Sequence, residues 1–344
     1  MLSVPAFQPL IPEDRDQGDP YLLTIPPDHP ATWRHYVYIT GEDAARGRAF
    51  PVFGSNDLRQ WQPLGESLVM AHQSAHWAPC VVYRPGLPKP YVMLYSCSKG
   101  FGDLAHVGHA IRRAESERPE GPFLDTGQNL TPEIDFAIDP DIYHRPDGRL
   151  MLAFAKDFVD DEPHGTAIVE VEISDDLTEL RGKARLLARP RYAWHVFDPA
   201  RSMPWKTIPN RDTVEETVHW STVEAPVGGL VSPAGKPVYL YSGGCFYGFY
   251  AIGALIEEDG DLRDVTDDPN FVVRPMPDRG IYAPGHCSLI RDGDEVIGLI
   301  LHARFGTPEA PRQMCVAPLR WRADGLPVAE LPFSDSPCNG FASS

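Results

Sequence analysis

The chain of 344 residues has 42% apolar and 23% charged residues, which is ordinary for a globular protein that buries a core. Its formal net charge of -17 at pH 7 argues against nucleic acid or an anionic membrane as a partner, because binding phosphate groups needs a basic surface. No apolar run is long enough to span a bilayer, and the first residues lack the basic and apolar regions of a signal peptide. We therefore expect a cytoplasmic protein with neither a membrane nor a nucleic-acid partner.

The cysteines do not indicate a zinc site or a disulfide framework. None of the six belongs to a C-x-x-C pair, which disfavours a zinc ribbon. Four of them fall inside apolar strand patterns and are expected to be small buried residues. The six are Cys80, Cys97, Cys245, Cys287, Cys315 and Cys338.

Strand signals dominate the chain. Short runs rich in Val, Ile, Tyr and Phe recur between Gly, Pro, Asn and Asp residues, and long helical periodicity is missing. The later groups contain strongly apolar strands such as Tyr91–Ser96 and Val238–Ser242, which suit blades covered on both faces. We predict an all-β, five-bladed β-propeller that forms a single domain over residues 1–344. Its blades are expected at roughly residues 19–70, 76–125, 138–190, 221–275 and 284–330.

The stretch Trp194–Trp220 interrupts this rhythm. It is long and polar, yet it contains three tryptophans, which argues against disorder. Its composition favours a loop that reaches over the mouth of the propeller, and an insertion packed on the outside is the alternative. A short helix at Asp212–Thr217 is the best helical candidate in the chain.

Five segment heads mark the starts of the five strand groups. Three of them carry an acidic residue beside a proline, namely Asp19, Asp139 and Glu224. The other two are Trp77-Ala78-Pro79 and Pro284-Gly285-His286. The heads recur at intervals of roughly 55 to 85 residues, which suggests a blade repeat. If the blades surround one axis, the heads face one funnel, where converging carboxyl groups could perform acid/base chemistry on a glycosidic bond.

In this order and spacing the motifs resemble glycoside hydrolase family 43, the five-bladed propeller enzymes that act on arabinosides and xylosides. The resemblance implies that Asp19 is the general base, that Asp139 orients the acid and tunes its pKa, and that Glu224 is the general acid. Ala225 stands where the family most often has Gly. The resemblance also makes Pro284-Gly285-His286 the motif of the fifth blade, whose His lies near the axis.

An inverting glycosidase needs one carboxylic acid to protonate the leaving oxygen and one carboxylate to activate water, roughly 6.5–9.5 Å apart. Glu224 must then stay protonated near neutral pH while Asp19 stays ionised. A neighbouring carboxylate such as Asp139 raises the pKa of the acid, because it disfavours a second negative charge. The three acids would thus have separate roles.

Three further residues are candidates for binding substrate. Trp77 could give the sugar an apolar wall, and Arg304 could donate to sugar hydroxyl groups, with Arg312 as a rival for that role. His286 is expected to bind an axial ion or water or to contact the sugar, and a structural histidine is the alternative. The chemistry needs no cofactor, although a calcium or other structural ion on the axis, held by His286, is compatible with the resemblance.

Each of the three acidic residues also has an alternative, either a purely structural role or a rival acid nearby or of similar local sequence. Asp-Pro is a common turn opener and occurs again at Asp198 and Asp268. Asp141 lies two residues beyond Asp139 and is its nearest rival. Glu224 has rivals of similar local sequence, Glu309-Ala310-Pro311 and Glu120-Gly121-Pro122.

The expected function is an inverting, exo-acting hydrolase that releases arabinofuranosyl or xylosyl units from small plant-type oligosaccharides. A related retaining fructosidase is disfavoured, because that group uses Asn-Asp-Pro and a Glu-Cys acid where this chain has Gly18-Asp19-Pro20 and Ala225 after Glu224. A propeller that binds glycans without cleaving them is the alternative from another class. The linkage, exo against endo action and the oligomeric state stay open at this point.

Overall fold

The structure is a computed structural model that describes residues 3–11, 15–70, 75–98, 108–202, 217–266 and 270–331. It consists of blades in which most strands pair antiparallel with the next strand along the chain. Blade 1 contains β1 (Tyr21–Thr24), β2 (His35–Tyr38), β3 (Glu42–Asp43), β4 (Arg48–Ser55) and β5 (Gln62–Val69). Blade 2 contains β6 (His76–Tyr83), β7 (Tyr91–Ser98), β8 (His109–Ser116) and β9 (Phe123–Asn129).

The remaining blades follow the same order. Blade 3 contains β10 (Ala137–His144), β11 (Leu150–Phe158), β12 (Gly165–Ile173) and β13 (Leu180–Ala188), followed by the hairpin β14 (Val196–Ser202) and β15 (Thr217–Ser221). Blade 4 contains β16 (Val223–Val231), β17 (Pro237–Gly244), β18 (Tyr250–Glu258) and β19 (Asp261–Asp264). Blade 5 contains β20 (Ile281–Asp292), β21 (Glu295–Phe305), β22 (Gln313–Trp321) and β23 (Pro327–Ala329).

Helix is confined, in the described ranges, to short 3-10 turns. These are Ala44–Arg46, Ala193–His195 and Pro277–Arg279. None of the helical segments seen in this part of the chain has the length and apolarity needed to cross a membrane.

Buried apolar clusters lie between neighbouring blades and close the ring. Five of them each join two adjacent blades. The cluster between the last and first blades packs Ile290 and Ile300 against Val37 and Phe53. The predicted five-bladed propeller is confirmed, and its innermost strands, β1, β6, β10, β16 and β20, surround a common axis. Four cysteines are predicted to be buried, and four are: Cys80, Cys97, Cys287 and Cys315.

The outer strand of blade 4 differs from the prediction. The sequence placed the end of this blade near residue 275, whereas β19 forms directly after β18, and Val273 makes only an isolated bridge to Ile252. Asp259 and Gly260 both have positive φ, which permits a tight hairpin turn that pairs the strand at once. The Asp259-Gly260 pair is therefore the better sequence signal for where the outer strand of blade 4 begins.

The stretch Trp194–Trp220 forms a hairpin where it is described. Strands β14 and β15 pair antiparallel, and Ser221 adds a parallel bridge to Gly165 of blade 3. Phe197 packs against Phe246 of blade 4, with ring centroids 5.9 Å apart. Trp205 and nearly all of the helical candidate Asp212–Thr217 lie outside the described residues.

A buried charge network ties blade 3 to blade 4. Glu170 accepts hydrogen bonds from Arg145 and Arg185 at 2.5 and 3.2 Å, and Glu257 accepts from the same two arginines at 2.7 and 3.1 Å. The side chain of Glu170 is only 1% exposed. Removing one carboxylate of this network leaves one carboxylate, that of the other glutamate, to compensate two desolvated guanidinium groups.

Replacement of Glu170 with alanine should therefore lower the free energy of unfolding by about 3–5 kcal/mol, because Arg145 and Arg185 lose one of the two carboxylates that they share. Equilibrium unfolding in urea measures this change. Glu330→Ala is the matched control, since the Glu330–Arg320 pair lies in solvent, and it should leave the unfolding midpoint unchanged. Equal effects of the two substitutions would contradict the structural role of the network.

Candidate active site

In every blade an X-Pro pair whose first residue has a left-handed backbone lies near the start of the innermost strand, and in blade 1 it directly precedes β1. The five φ values lie between 45° and 58°. In blades 2 to 5 the pairing register shifts here, as at a β-bulge. A left-handed backbone is uncommon outside glycine, so its repetition identifies one equivalent position in all blades. The five residues are Asp19, Ala78, Asp139, Ala225 and Ala283.

This repeated bend brings the strand heads to a narrow cavity on the axis. The cavity wall includes one residue from each blade, namely Asp19, Ala78, Asp139, Ala225 and His286. Glu224 directly precedes Ala225, and its carboxyl group interacts electrostatically with Asp139, His286 and Asp19. The structure therefore brings the three predicted acids together.

Asp19 lies among three basic side chains. Nη1 of Arg312 donates to Oδ1 at 3.0 Å, and Nδ1 of His286 lies 3.1 Å from the same oxygen. The backbone N–H of Asp19 donates to Nδ1 of His302 at 3.1 Å. Burial would raise the pKa of Asp19, but the charges on Arg312 and His286 hold this pKa well below its usual value. Asp19 is thus a carboxylate at neutral pH.

Arg312 can reach Asp19 because Gly18, the residue before Asp19, has no side chain in the path of the guanidinium group. Its Nη2 and Nε atoms donate to Oδ2 of Asp16 at 2.6 and 3.0 Å, and its carbonyl accepts from the N–H of Gln17 at 2.8 Å. A Cβ atom on Gly18 would lie 2.0 Å from the guanidinium carbon of Arg312. The glycine before Asp19 therefore permits this guanidinium to pair with both aspartates.

Asp139 fixes the backbone beside Glu224. Its Oδ2 accepts a hydrogen bond of 3.0 Å from the N–H of Ala225. Burial, together with the negative charge of Asp19, raises the pKa of Asp139 to about 6, although His286 opposes the shift. Ala225 itself occupies backbone that favours glycine, which explains the family's usual Gly at this position.

Glu224 is held by a tyrosine from β18, two strands away in its own blade. The hydroxyl of Tyr250 donates to Oε1 at 2.7 Å, and the Tyr250 ring lies parallel to that of His302, with centroids 5.9 Å apart. Burial and the charge of Asp139 raise the pKa of Glu224 to about 8, while the hydrogen bond from Tyr250 opposes this rise. At neutral pH the site thus combines a protonated Glu224 with an ionised Asp19, as acid/base chemistry requires.

His286 forms an ion pair with Asp19 on the axis, with 3.1 Å between its Nδ1 and Oδ1 of Asp19. Burial lowers its pKa, but Asp19 and Asp139 outweigh burial and raise the pKa to about 9, so the imidazole is protonated at neutral pH. Metal ligation needs the neutral ring. Across the described ranges, no group of three or more His, Cys, Asp or Glu side chains could hold an ion. In this structure His286 is a cationic partner of Asp19, and the axial ion stays a prediction.

The structure separates the two arginine candidates. Arg304 is buried and donates through Nε to the carbonyl of Phe246 at 3.3 Å and through Nη1 to that of Ala310. Arg312, its rival, contacts Asp19 directly. Trp77 is half-buried at the position equivalent to Glu224, and its ring stacks on His109 with centroids 4.0 Å apart. Sugar contacts by Trp77 and Arg304 stay predictions.

Asp141, the rival of Asp139, also lines the axial cavity but faces a different stretch of backbone. Its Oδ2 accepts from the N–H of Gly228 at 2.8 Å, and burial raises its pKa to about 6. It also lines a second cavity that Asp139 does not line. Asp139 therefore remains the acid next to Glu224.

The arrangement agrees with the comparison to known families. The model of glycosyl hydrolases family 43 matches residues 26–327. The chain belongs to this family. The family match begins after Asp19, so the placement of Asp19 in the site comes from the geometry above. No curated protein matches the chain.

Solved structures place this family 43 chain among propeller enzymes. A thermostable family-43 glycoside hydrolase is 26% identical, with a TM-score of 0.68, and the alignment covers 96% of this chain and 97% of the other. An endo-1,4-beta-xylanase from Bacteroides thetaiotaomicron is 19% identical, with a TM-score of 0.67 and coverages of 92% and 95%. An alpha-L-arabinanase from Cellvibrio cellulosa, complexed with arabinohexaose, is 17% identical, with a TM-score of 0.63 and coverages of 92% and 96%.

Proposed function

We propose that this family 43 protein is an inverting glycoside hydrolase that releases arabinofuranosyl or xylosyl units from the ends of plant-type oligosaccharides. The observation that carries the proposal is the convergence of the acids at one axial site, where Asp19 is paired with Arg312 and His286 while Glu224 accepts from Tyr250 beside Asp139. These surroundings lower the pKa of Asp19 and raise that of Glu224. A glycan-binding protein needs no such matched pair, whereas acetal hydrolysis does.

In the proposed reaction Asp19 removes a proton from the attacking water. Arg312 and His286 both bind its Oδ1 and fix the plane of the carboxylate. No residue in the described part of the chain donates to Oδ2, which leaves that oxygen to accept the proton. Glu224 protonates the leaving oxygen at the same time, so the bond to the leaving group breaks as the bond to water forms.

Asp139 supports the acid without touching the reacting atoms. Its charge keeps Glu224 protonated, and its hydrogen bond to Ala225 holds the acid's backbone in place. The enzyme needs no cofactor in this mechanism. The proposal of pentosides as substrates is supported by the xylanase and arabinanase among similar structures, since the family membership alone leaves the sugar open.

A panel of substrates tests this proposal. The panel contains 4-nitrophenyl α-L-arabinofuranoside and β-D-xyloside, the matching hexosides and fructosides, and linear arabino- and xylo-oligosaccharides. We expect hydrolysis of a pentoside and early release of monosaccharide from the oligosaccharides. Turnover confined to fructosides or hexosides, or saturable sugar binding without any turnover, would overturn the proposal.

The pH profile provides a further prediction. For the wild type, the basic limb of kcat/KM should lie near pH 8, because the protonated form of Glu224 is the active one. Asp139→Asn removes a charge that raises this pKa, so the limb should move to lower pH while the amide oxygen still accepts from Ala225. The matched control is Asp141→Asn, the same replacement on the same strand, which should leave the limb near its wild-type position. A limb that moves upward in Asp139→Asn would contradict the assignment.

A further inference from the structure

The turn between β17 and β18 carries a cluster of aromatic side chains that the proposed chemistry does not use. Residues 245–250 read Cys-Phe-Tyr-Gly-Phe-Tyr. The N–H of Cys245 donates to the carbonyl of Phe249 at 2.7 Å, and that of Gly248 donates to the carbonyl of Cys245 at 2.8 Å. Tyr247 is 67% exposed and Phe249 is 44% exposed. A tight, hydrogen-bonded turn thus presents large rings to solvent.

This turn lies at the end of blade 4 that carries Glu224. Glu224 pairs with Ser242 on β17, and the turn begins three residues later at Cys245. At about 3.3 Å per residue, the turn therefore starts roughly 10 Å along the strand from the acid. The ring of Phe246 lies 6.5 Å from that of Tyr250, whose hydroxyl binds Glu224. The aromatic turn is thus next to the acid.

Neighbouring side chains hold the exposed ring in position. Tyr247 lies against Phe246, with centroids 4.1 Å apart and planes inclined at 40°. The guanidinium carbon of Arg304 lies 5.7 Å from the centroid of Tyr247, and its Nε donates to the carbonyl of Phe246. Phe197 of the β14–β15 hairpin also packs against Phe246, with ring centroids 5.9 Å apart. Little conformational entropy is lost when a ligand binds a ring that is already fixed.

We propose that Tyr247, supported by Phe246 and Arg304, binds the pentose unit on the leaving-group side of the cleaved bond. This inference rests on the proposed function. The general acid protonates the leaving oxygen, so the departing sugar must lie on the Glu224 side of the pocket, where this turn is. The apolar C–H face of a sugar ring suits a rigid, exposed tyrosine. Arg304 thereby acts through Tyr247 as a positioning residue.

The test compares two substrates in wild type, Tyr247→Ala and Tyr247→Phe. One substrate is a pentose disaccharide of the type the wild type cleaves, and the other is the methyl glycoside of the same pentose, whose leaving group has no ring to stack. In Tyr247→Ala the loss of kcat/KM should be about ten-fold for the disaccharide and several-fold smaller for the methyl glycoside. Tyr247→Phe keeps the ring and should restore the disaccharide rate. Leu186→Ala is the surface control, since Leu186 is exposed on an outer strand of blade 3.

The outcomes separate this inference from the proposed function. Suppose that the wild type cleaves both substrates. If Tyr247→Ala then loses the same factor of kcat/KM on both, or loses nothing on either, the leaving-group site is overturned and the proposed function stands. A wild type that cleaves neither pentoside overturns the proposed function and the inference with it. Selective loss on the disaccharide with recovery in Tyr247→Phe supports both.

Discussion

Replacing Glu224 with glutamine is expected to lower kcat/KM for pentose oligosaccharides by about 10²–10⁴-fold, because the leaving sugar then departs without a proton. Glutamine preserves the size of the side chain and can still accept the hydrogen bond from Tyr250. The loss should be far smaller for a 4-nitrophenyl pentoside, since 4-nitrophenolate leaves readily as an anion. The basic limb of the pH profile should disappear in the same variant. Steady-state kinetics on the two substrates measures both effects.

Glu309→Gln is the matched control for this experiment. Glu309 has the same local sequence as Glu224, Glu-Ala-Pro, but lies exposed in a turn of blade 5. It should retain wild-type rates on both substrates. If Glu224→Gln loses the same factor whatever the leaving group, or loses nothing, Glu224 is not the general acid.

Replacing Asp19 with asparagine is expected to reduce kcat/KM by about 10²–10⁴-fold for oligosaccharides and 4-nitrophenyl pentosides alike. The water must be activated whatever the leaving group is, so a better leaving group does not compensate for the loss of the base. This independence from the leaving group distinguishes the variant from Glu224→Gln. Initial rates on the same two substrates provide the comparison.

Asp16→Asn controls for disturbance of the basic cluster. Asp16 binds the same guanidinium as Asp19, but it is more exposed and takes no part in the proposed proton transfer. Its loss of activity should be much smaller than that of Asp19→Asn. Comparable losses in the two variants would indicate that Asp19 only positions Arg312, and a thermal melt of each variant shows whether the fold is intact.

The sequence was informative about the acids because each sits in a short local motif. Asp19 and Asp139 belong to the X-Pro pair that every blade repeats, and Glu224 directly precedes it. A local pattern of this kind survives in the sequence without knowledge of the fold. The sequence predicted that the three acids converge, because equivalent positions of the five blades must surround one axis in a propeller.

The partners of these acids were harder to predict, because each contact joins distant parts of the chain. Arg312 and His302 meet Asp19 only when blade 5 closes against blade 1. Tyr250 begins an apolar strand and has the pattern of a core residue, so its bond to Glu224 leaves no sequence signal. His286 lines the axial cavity, but its charge depends on the carboxylates that surround it, which lie far apart in the sequence.

The configuration of the first sugar released tests the central claim most directly. Proton NMR spectra recorded in the first minutes of hydrolysis distinguish the two anomers of the product before mutarotation mixes them. Direct attack by a water activated by Asp19, with Glu224 as the acid, predicts that the first-formed pentose has the anomeric configuration opposite to that of the cleaved bond. A first-formed product that retains the original configuration would contradict the account, because it would require a covalent intermediate on a carboxylate that is assigned here as a base.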